Sequence, residues 1–177
     1  MIATGPDEVR SGLPANLRRL WRYAILLSGR DDTASDLVQA TCLRALERAH
    51  QFIAGSRLDR WLFAILRSIW LNDLRSRRVR EGKGTEDAEF ALVFDGAEQL
   101  ETNMLAAQVL KEVYALPESQ RETLFLVYVE GLTYREAAHM LDVPVGTVMS
   151  RLASARERLG KLSAPAVEKP VPATKRP

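Results

Sequence analysis

Thr133-Tyr134-Arg135-Glu136-Ala137-Ala138-His139-Met140-Leu141-Asp142-Val143-Pro144-Val145-Gly146-Thr147-Val148-Met149-Ser150-Arg151-Leu152 is the stretch on which the fold turns. Thr133 followed three residues later by Glu136 is a capping box, in which hydroxyl and carboxylate each satisfy an amide that the first helical turn leaves unpaired. Ala137, Ala138 and Leu141 then share one face of a short helix. Asp142, Val143 and Pro144 interrupt it, and Pro144 stands where the next helix can begin, because a first-turn position needs no amide. Beyond it Val148, Leu152, Ala155 and Leu159 recur at the spacing of a single packed face. Two helices joined by so short a turn make a helix-turn-helix, whose second helix can enter the major groove of DNA. Thr147, Met149, Ser150, Arg151, Ser154 and Arg156 fall off the packed face, and Thr147 lies by an amide-rich helix start suited to a phosphate. On spacing alone a solvated helical hairpin fits as well as a DNA reader.

Working outward, Leu124, Phe125, Val127 and Tyr128 predict a helix ended by Gly131, and Met104, Leu105, Val109, Leu110 and Val113 predict another before Pro117. Upstream, helical periodicity appears three more times. Leu13, Leu17, Leu20, Trp21, Ala24 and Leu27 predict a helix closed by Gly29. Thr33 with Asp36 resembles a second capping box, opening a helix through Ala34, Leu37, Val38, Ala45 and Leu46 to about Ala49. After Gly55 and Ser56, the stripe Leu58, Leu62, Ile65 and Ile69, with Trp61 and Leu66 beside it, predicts a third. Trp61 reads as core, whereas Trp70 lies off the stripe and is a candidate for stacking on an unpaired base or for capping the lobe. No strand-type alternation persists, so the expected fold is all-α in two small helical domains. Their expected bounds are 13–80 and 104–162, with a flexible acidic linker at 81–103 and a disordered, proline-rich tail at 163–177.

Charge sharpens that division. The chain's net charge is only +2. Yet Arg57 to Arg80 carries seven arginines against two aspartates, a local charge of +5, and Glu81 to Asn103 carries seven acidic residues against Lys83, a local charge of −6. Such blocks suggest a surface for a polyanion followed by a segment that repels or mimics one. Cys42 is the single cysteine, which excludes an internal disulfide and a cysteine zinc site and reads as a buried structural thiol. Two histidines, His50 and His139, one thiol and no glycine-rich phosphate loop offer no convergent catalytic set, so no enzyme, metal or cofactor is expected. No apolar run approaches the roughly 20 residues of a membrane span, and the N-terminus lacks the order of a secretory signal, which predicts a cytoplasmic protein without membrane insertion.

Two separate sets of residues carry a resemblance. Gly131 to Ala138, Val143 to Val148 and Ser150-Arg151-Leu152, entered through Leu116-Pro117 and Gln120-Arg121, resemble region four of extracytoplasmic-function sigma factors. Asp36-Leu37-Val38-Gln39-Ala40-Thr41 with Leu43-Arg44-Ala45 resembles the region-two helix by which those factors grip the polymerase clamp. Trp61 to Arg67, then Leu74-Arg75 and Arg77-Arg78, resembles the next helix, which reads the upstream element nearest the start site. The resemblance spans about residues 13 to 162. It implies a promoter-specificity subunit whose partners are bacterial core RNA polymerase, promoter DNA and an anti-sigma factor. It implies core contact through Asp36, Leu37, Val38, Gln39 and Arg44, with Asp36 and Gln39 better placed by their polarity. Contact to the minus 10 element falls to Arg57, Arg67, Trp70, Asn72, Arg75, Arg77 and Arg78, with the loop from about Gln51 to Arg57 capturing a flipped base. Contact to the minus 35 element falls to Thr147, Met149, Ser150, Arg151, Ser154 and Arg156. Met149 and Ser154 stand where such factors often carry Arg or Lys, and Ala153 where a larger residue is frequent, so the implied upstream specificity is open. Ser68 and Asn72 stand where Asn and Asp are common. A stand-alone helix-turn-helix repressor and a sigma mimic that sequesters an anti-sigma factor are the competing readings.

Overall fold

A computed structural model of the chain describes residues 4–81 and 110–163, and these are helical without a strand. The chain divides into two compact units, Met1–Glu101 and Thr102–Pro177. The expected acidic linker from 82 onward, the apolar positions Met104, Leu105 and Val109, and the tail from 164 lie outside the described residues.

The N-terminal unit is built from α1 (Gly5–Ser28), α2 (Asp31–Glu47), a turn of 3-10 helix (Ala49–Gln51) and α3 (Leu58–Glu81). The first helix begins well before the expected apolar stripe. Pro6 occupies its first turn, and the Asp7 carboxylate accepts from the Thr4 hydroxyl at 2.7 Å and the Thr4 amide at 3.4 Å. Those start signals precede the apolar face, so periodicity alone missed them. Its end is as expected, with Gly29 left-handed at φ 67° and its amide donating to the Ile25 carbonyl at 2.8 Å. Val9, Leu13, Leu20, Tyr23, Ala24 and Leu27 are buried, whereas Leu17 and Trp21, expected on the same face, remain about two-fifths exposed (42 % and 41 %).

The expected capping box at Thr33 is not formed. Helix α2 starts three residues earlier than a cap at Thr33 implies, at Asp31, and the Asp32 carboxylate takes the Thr33 amide at 2.6 Å and the Arg30 guanidinium at 2.7 Å. With the first turn already served by Asp32, Asp36 is left on an exposed helical position. Leu37 and Ala45 enter the core, but Leu46, expected there too, is 45 % exposed. On α3 the buried set is Leu62, Phe63, Leu66 and Trp70, while Ile65 and Ile69 are only half-buried. The expected stripe was therefore rotated by about one residue. Aromatic contact explains the choice: Phe63 meets Tyr23 edge-on at 5.3 Å, burying more apolar area than Ile65 offers. Trp61 is half-buried with Phe52 at 5.3 Å.

The C-terminal unit is described from α4 (110–114), followed by α5 (Glu118–Leu124), α6 (Tyr134–Leu141) and α7 (Val145–Ser163). From Phe125 to Val129 the chain widens into a π-turn, the Glu130 amide reaching back to the Phe125 carbonyl at 3.0 Å. That widening buries Phe125 and Leu126 and leaves Tyr128, expected on the packed face, 54 % exposed. Gly131 then takes φ 70° and closes the segment. The capping box at Thr133 is formed, the Glu136 amide donating to Thr133 Oγ1 at 3.3 Å and the Thr133 amide to Glu136 Oε2 at 2.8 Å. Asp142 is left-handed at φ 54°, the one such non-glycine among the described residues, and the Val143 amide closes on the Ala138 carbonyl at 3.0 Å. The turn is thus a compact helix end followed at once by α7.

Candidate nucleic-acid interface

Three outward surfaces follow from this packing, two in the N-terminal unit and one in the C-terminal unit. On α2, residues three and four apart share a face. Burial of Ala34, Leu37, Thr41 and Ala45 turns Asp36, Gln39, Ala40 and Leu43 outward, Leu43 being 61 % exposed. An apolar patch rimmed by Asp36, Gln39 and Arg44 is the composition of a protein-docking surface rather than of a DNA groove. Leu37, one of the expected contact residues, is instead only 4 % exposed and belongs to the core, and Val38 is half-buried. Arg44 is half-buried, with Glu47 at 3.9 Å. Leu43, the most exposed apolar side chain of the helix, was not singled out from the sequence as a contact, although its spacing from Asp36 and Gln39 contains the signal.

The second surface is α3 with the loop before it. Asn72 and Arg75 are exposed, the Arg75 guanidinium donating to Asn72 Oδ1 at 3.4 Å, and Arg67 is half-buried. Arg77 pairs with Asp73 at 2.6 Å and lies 5.9 Å from the centre of the Trp70 ring. Trp70 is only 7 % exposed, so the lobe-capping role fits it and stacking on an unpaired base does not. The side chains of Arg78 and Arg80 lie outside what is described.

Arg57, at the head of α3, forks onto Asp59 with contacts of 2.8 and 3.1 Å, and Arg19 of α1 reaches the same carboxylate at 3.1 Å. Burial by itself pushes the Asp59 carboxyl up. Hydrogen bonds and charge from Arg57, the Arg60 amide and Arg19 outweigh it and hold the group at about 2. Asp59 therefore stays ionised and ties the start of α3 to α1. Neither Asp59 nor Arg19 was visible as a pair in the sequence, since 40 residues separate them.

The third surface is on α7. Val148, Leu152 and Ala155 are fully buried against the unit, which turns Met149, Ser150, Ala153, Ser154 and Arg156 outward and leaves Thr147 and Arg151 half-buried. Ser150 donates to the Thr147 carbonyl at 3.0 Å and Arg156 Nε to the Leu152 carbonyl at 3.3 Å. Most of this face is short, so the helix axis can approach groove floor closely. Met149, 53 % exposed, offers apolar contact of the kind a thymine methyl takes. Behind the turn, Arg121 is buried and donates to the Tyr114 carbonyl at 3.0 Å, fixing the entry to α5. Burial pushes its guanidinium down, though Glu118, Tyr114 and Glu122 act in the opposite sense. Among the described residues no group of acidic, histidine and cysteine side chains could hold a metal ion, and no helix is long and apolar enough to cross a membrane.

These surfaces coincide with recognised families. Residues 14–80 match the family model of sigma-70 region 2, and residues 107–159 match that of sigma-70 region 4. The chain is 37 % identical over 158 residues to the ECF RNA polymerase sigma factor EcfG of Rhodopseudomonas palustris, covering 88 % of this chain and 85 % of that one. It is 34 % identical over 147 residues to the ECF RNA polymerase sigma factor SigC of Mycobacterium tuberculosis, covering 83 % and 78 %. Among solved structures, the sigma factor RpoE in complex with the anti-sigma factor NepR from Bartonella quintana matches with a TM-score of 0.68 and 32 % identity, over 86 % of this chain and 94 % of that one. The PhyRSL–NepR complex from Sphingomonas sp. Fr1 matches in fold, with a TM-score of 0.61 and 20 % identity over 94 % of each chain. Two ordered matches, in the order and spacing that the residues themselves suggested, make the chain a member of the extracytoplasmic-function sigma factors of the sigma-70 family.

Proposed function

We propose that this chain is a promoter-specificity subunit that joins bacterial core RNA polymerase, recognises a bipartite promoter and performs no chemistry itself. The observation that carries the reading is the presence of both regions on one chain, each with an outward face suited to its own partner. Asp36, Gln39, Leu43 and Arg44 form the core-docking face. Arg67, Asn72, Arg75, Arg77 and Arg78 serve the minus 10 element, the exposed cations neutralising phosphates at about one released counterion each. Thr147, Met149, Ser150, Arg151, Ser154 and Arg156 serve the minus 35 element. Trp70 and Leu37 are assigned to packing. A small apolar and serine-rich reading face favours methyl and shape readout over bidentate guanine recognition. Work with the polymerase makes the protein cytoplasmic, and an anti-sigma factor, as carried by the Bartonella relative, is the expected regulator.

Run-off transcription on a genomic fragment library, with purified core polymerase and this chain, tests the proposal. New start sites that depend on the chain support it. Tight duplex binding without polymerase, and no change in start sites, would establish the repressor reading instead. Asp36→Ala is expected to weaken association with core, and Arg75→Ala with Arg78→Ala to reduce opening while sparing that association.

A further inference from the structure

The first turns of α1 run along the loop that precedes α3. Gly5, Glu8 and Gly12 are three and four residues apart and so form one stripe of the helix. At Gly5 a Cβ would collide with the Phe52 carbonyl, and at Gly12 one would meet the Leu58 side chain, so the α1 backbone lies against the loop at Gly5 and against the first residue of α3 at Gly12. Between them the Glu8 carboxylate accepts the Gly55 amide through both oxygens, at 2.9 and 3.2 Å. Gly55 is left-handed at φ 77°, and the Ser56 amide returns to the Ile53 carbonyl at 3.0 Å, making a tight turn. Ile53, at the start of that turn, is 77 % exposed, an apolar side chain open to a ligand. At its far end the loop is held again by α1, through Arg19, Asp59 and Arg57. A segment with Gly55 and Ser56 would be mobile alone, yet here two contacts from one helix fix its shape.

We propose that Glu8 is a positioning residue for promoter reading: by holding the Gly55 turn, it keeps the Ile53–Arg57 edge in a single shape that discriminates among bases flipped out of the minus 10 element. This rests on the proposed function together with what the family resemblance implies, that the loop from about Gln51 to Arg57 captures the flipped base. The physical reason is preorganisation. A loop ordered before binding does not spend base-contact energy on ordering itself, and a fixed wall excludes wrong bases that a mobile one would accommodate.

The test uses holoenzyme reconstituted from core polymerase and the full chain, with a single-stranded oligonucleotide pool randomised across the non-template minus 10 positions. Glu8→Ala is expected to flatten the base preference at the captured position by about fivefold, the net worth of one solvent-exposed hydrogen bond, with core affinity and flanking positions unchanged. Glu8→Gln, which keeps a carbonyl acceptor, is expected to retain the preference. If Glu8 acted only as a negative charge repelling DNA, both substitutions would tighten binding alike without altering preference, and the proposal would fall. Unchanged preference in Glu8→Ala, with flattening in Ile53→Ser and Arg57→Ala, would remove the clamp and leave the loop as reader. Unchanged preference in all three would remove the loop from base reading altogether.

Discussion

In the N-terminal unit the helix that carries the arginines is held at its head by charge, with Asp59 gripped by Arg57 and Arg19, and along its length by aromatic burial of Phe63 and Trp70. In the C-terminal unit α7 is held by Val148, Leu152 and Ala155 and by a turn whose hydrogen bonds are nearly all local. On the proposed assignment of these faces, the contrast teaches where specificity resides. A basic face that must meet phosphates can be anchored by ion pairs, because its contacts depend on charge more than on register. A short, weakly polar face such as Met149, Ser150 and Ser154 depends on helix register, which close apolar packing and a capped turn fix more sharply.

The comparison breaks most readily at Leu152. Leu152→Ala empties a fully buried site and is expected to cost about 3 kcal/mol. All three tryptophans lie in the N-terminal unit, so tryptophan fluorescence reports that unit alone. Denaturant titration is expected to shift the far-ultraviolet circular dichroism transition while leaving the fluorescence transition in place; equal movement of both would mean the units unfold together.

Asp59→Asn is the counterpart in the other unit, with an expected loss of about 1–2 kcal/mol at neutral pH after allowance for partly exposed arginines. Its pH dependence has a definite sign. The folded carboxyl sits at about 2, below its ordinary value, so its contribution is complete above about pH 4 and disappears as the pH falls toward 2. Wild type and variant should therefore converge in stability over that window, as followed by fluorescence. A difference that persists to pH 2 would assign the effect to packing.

The two capping boxes expected from sequence provide a smaller and sharper test. Thr133→Ala is expected to cost about 1 kcal/mol, because both reciprocal bonds are made. Thr33→Ala is expected to change stability by less than about 0.5 kcal/mol, since Asp32 serves that turn. Paired thermal melts of the two variants measure the difference, and equal losses would return Thr33 to the cap.

Read alone, the residues determine the all-α class, the helix-turn-helix at Thr133 to Leu159, the cap at Gly29 and the opposed charge blocks, and they suffice to suggest the family. Each of these is written in contacts between residues three to five apart, or in the charges themselves, so nothing distant is needed to read it. Tertiary structure decides which face of each helix is buried. Apolar residues sit on adjoining stripes, and only the partner's shape selects among them: Phe63 against Tyr23 turns Trp70 inward, and the packing of Leu37 turns Leu43 out. Tertiary structure also brings Glu8 to Gly55 and Arg19 to Asp59 across 47 and 40 residues of chain. A carboxylate's partner at such a separation is set by chain path, and no local pattern announces it.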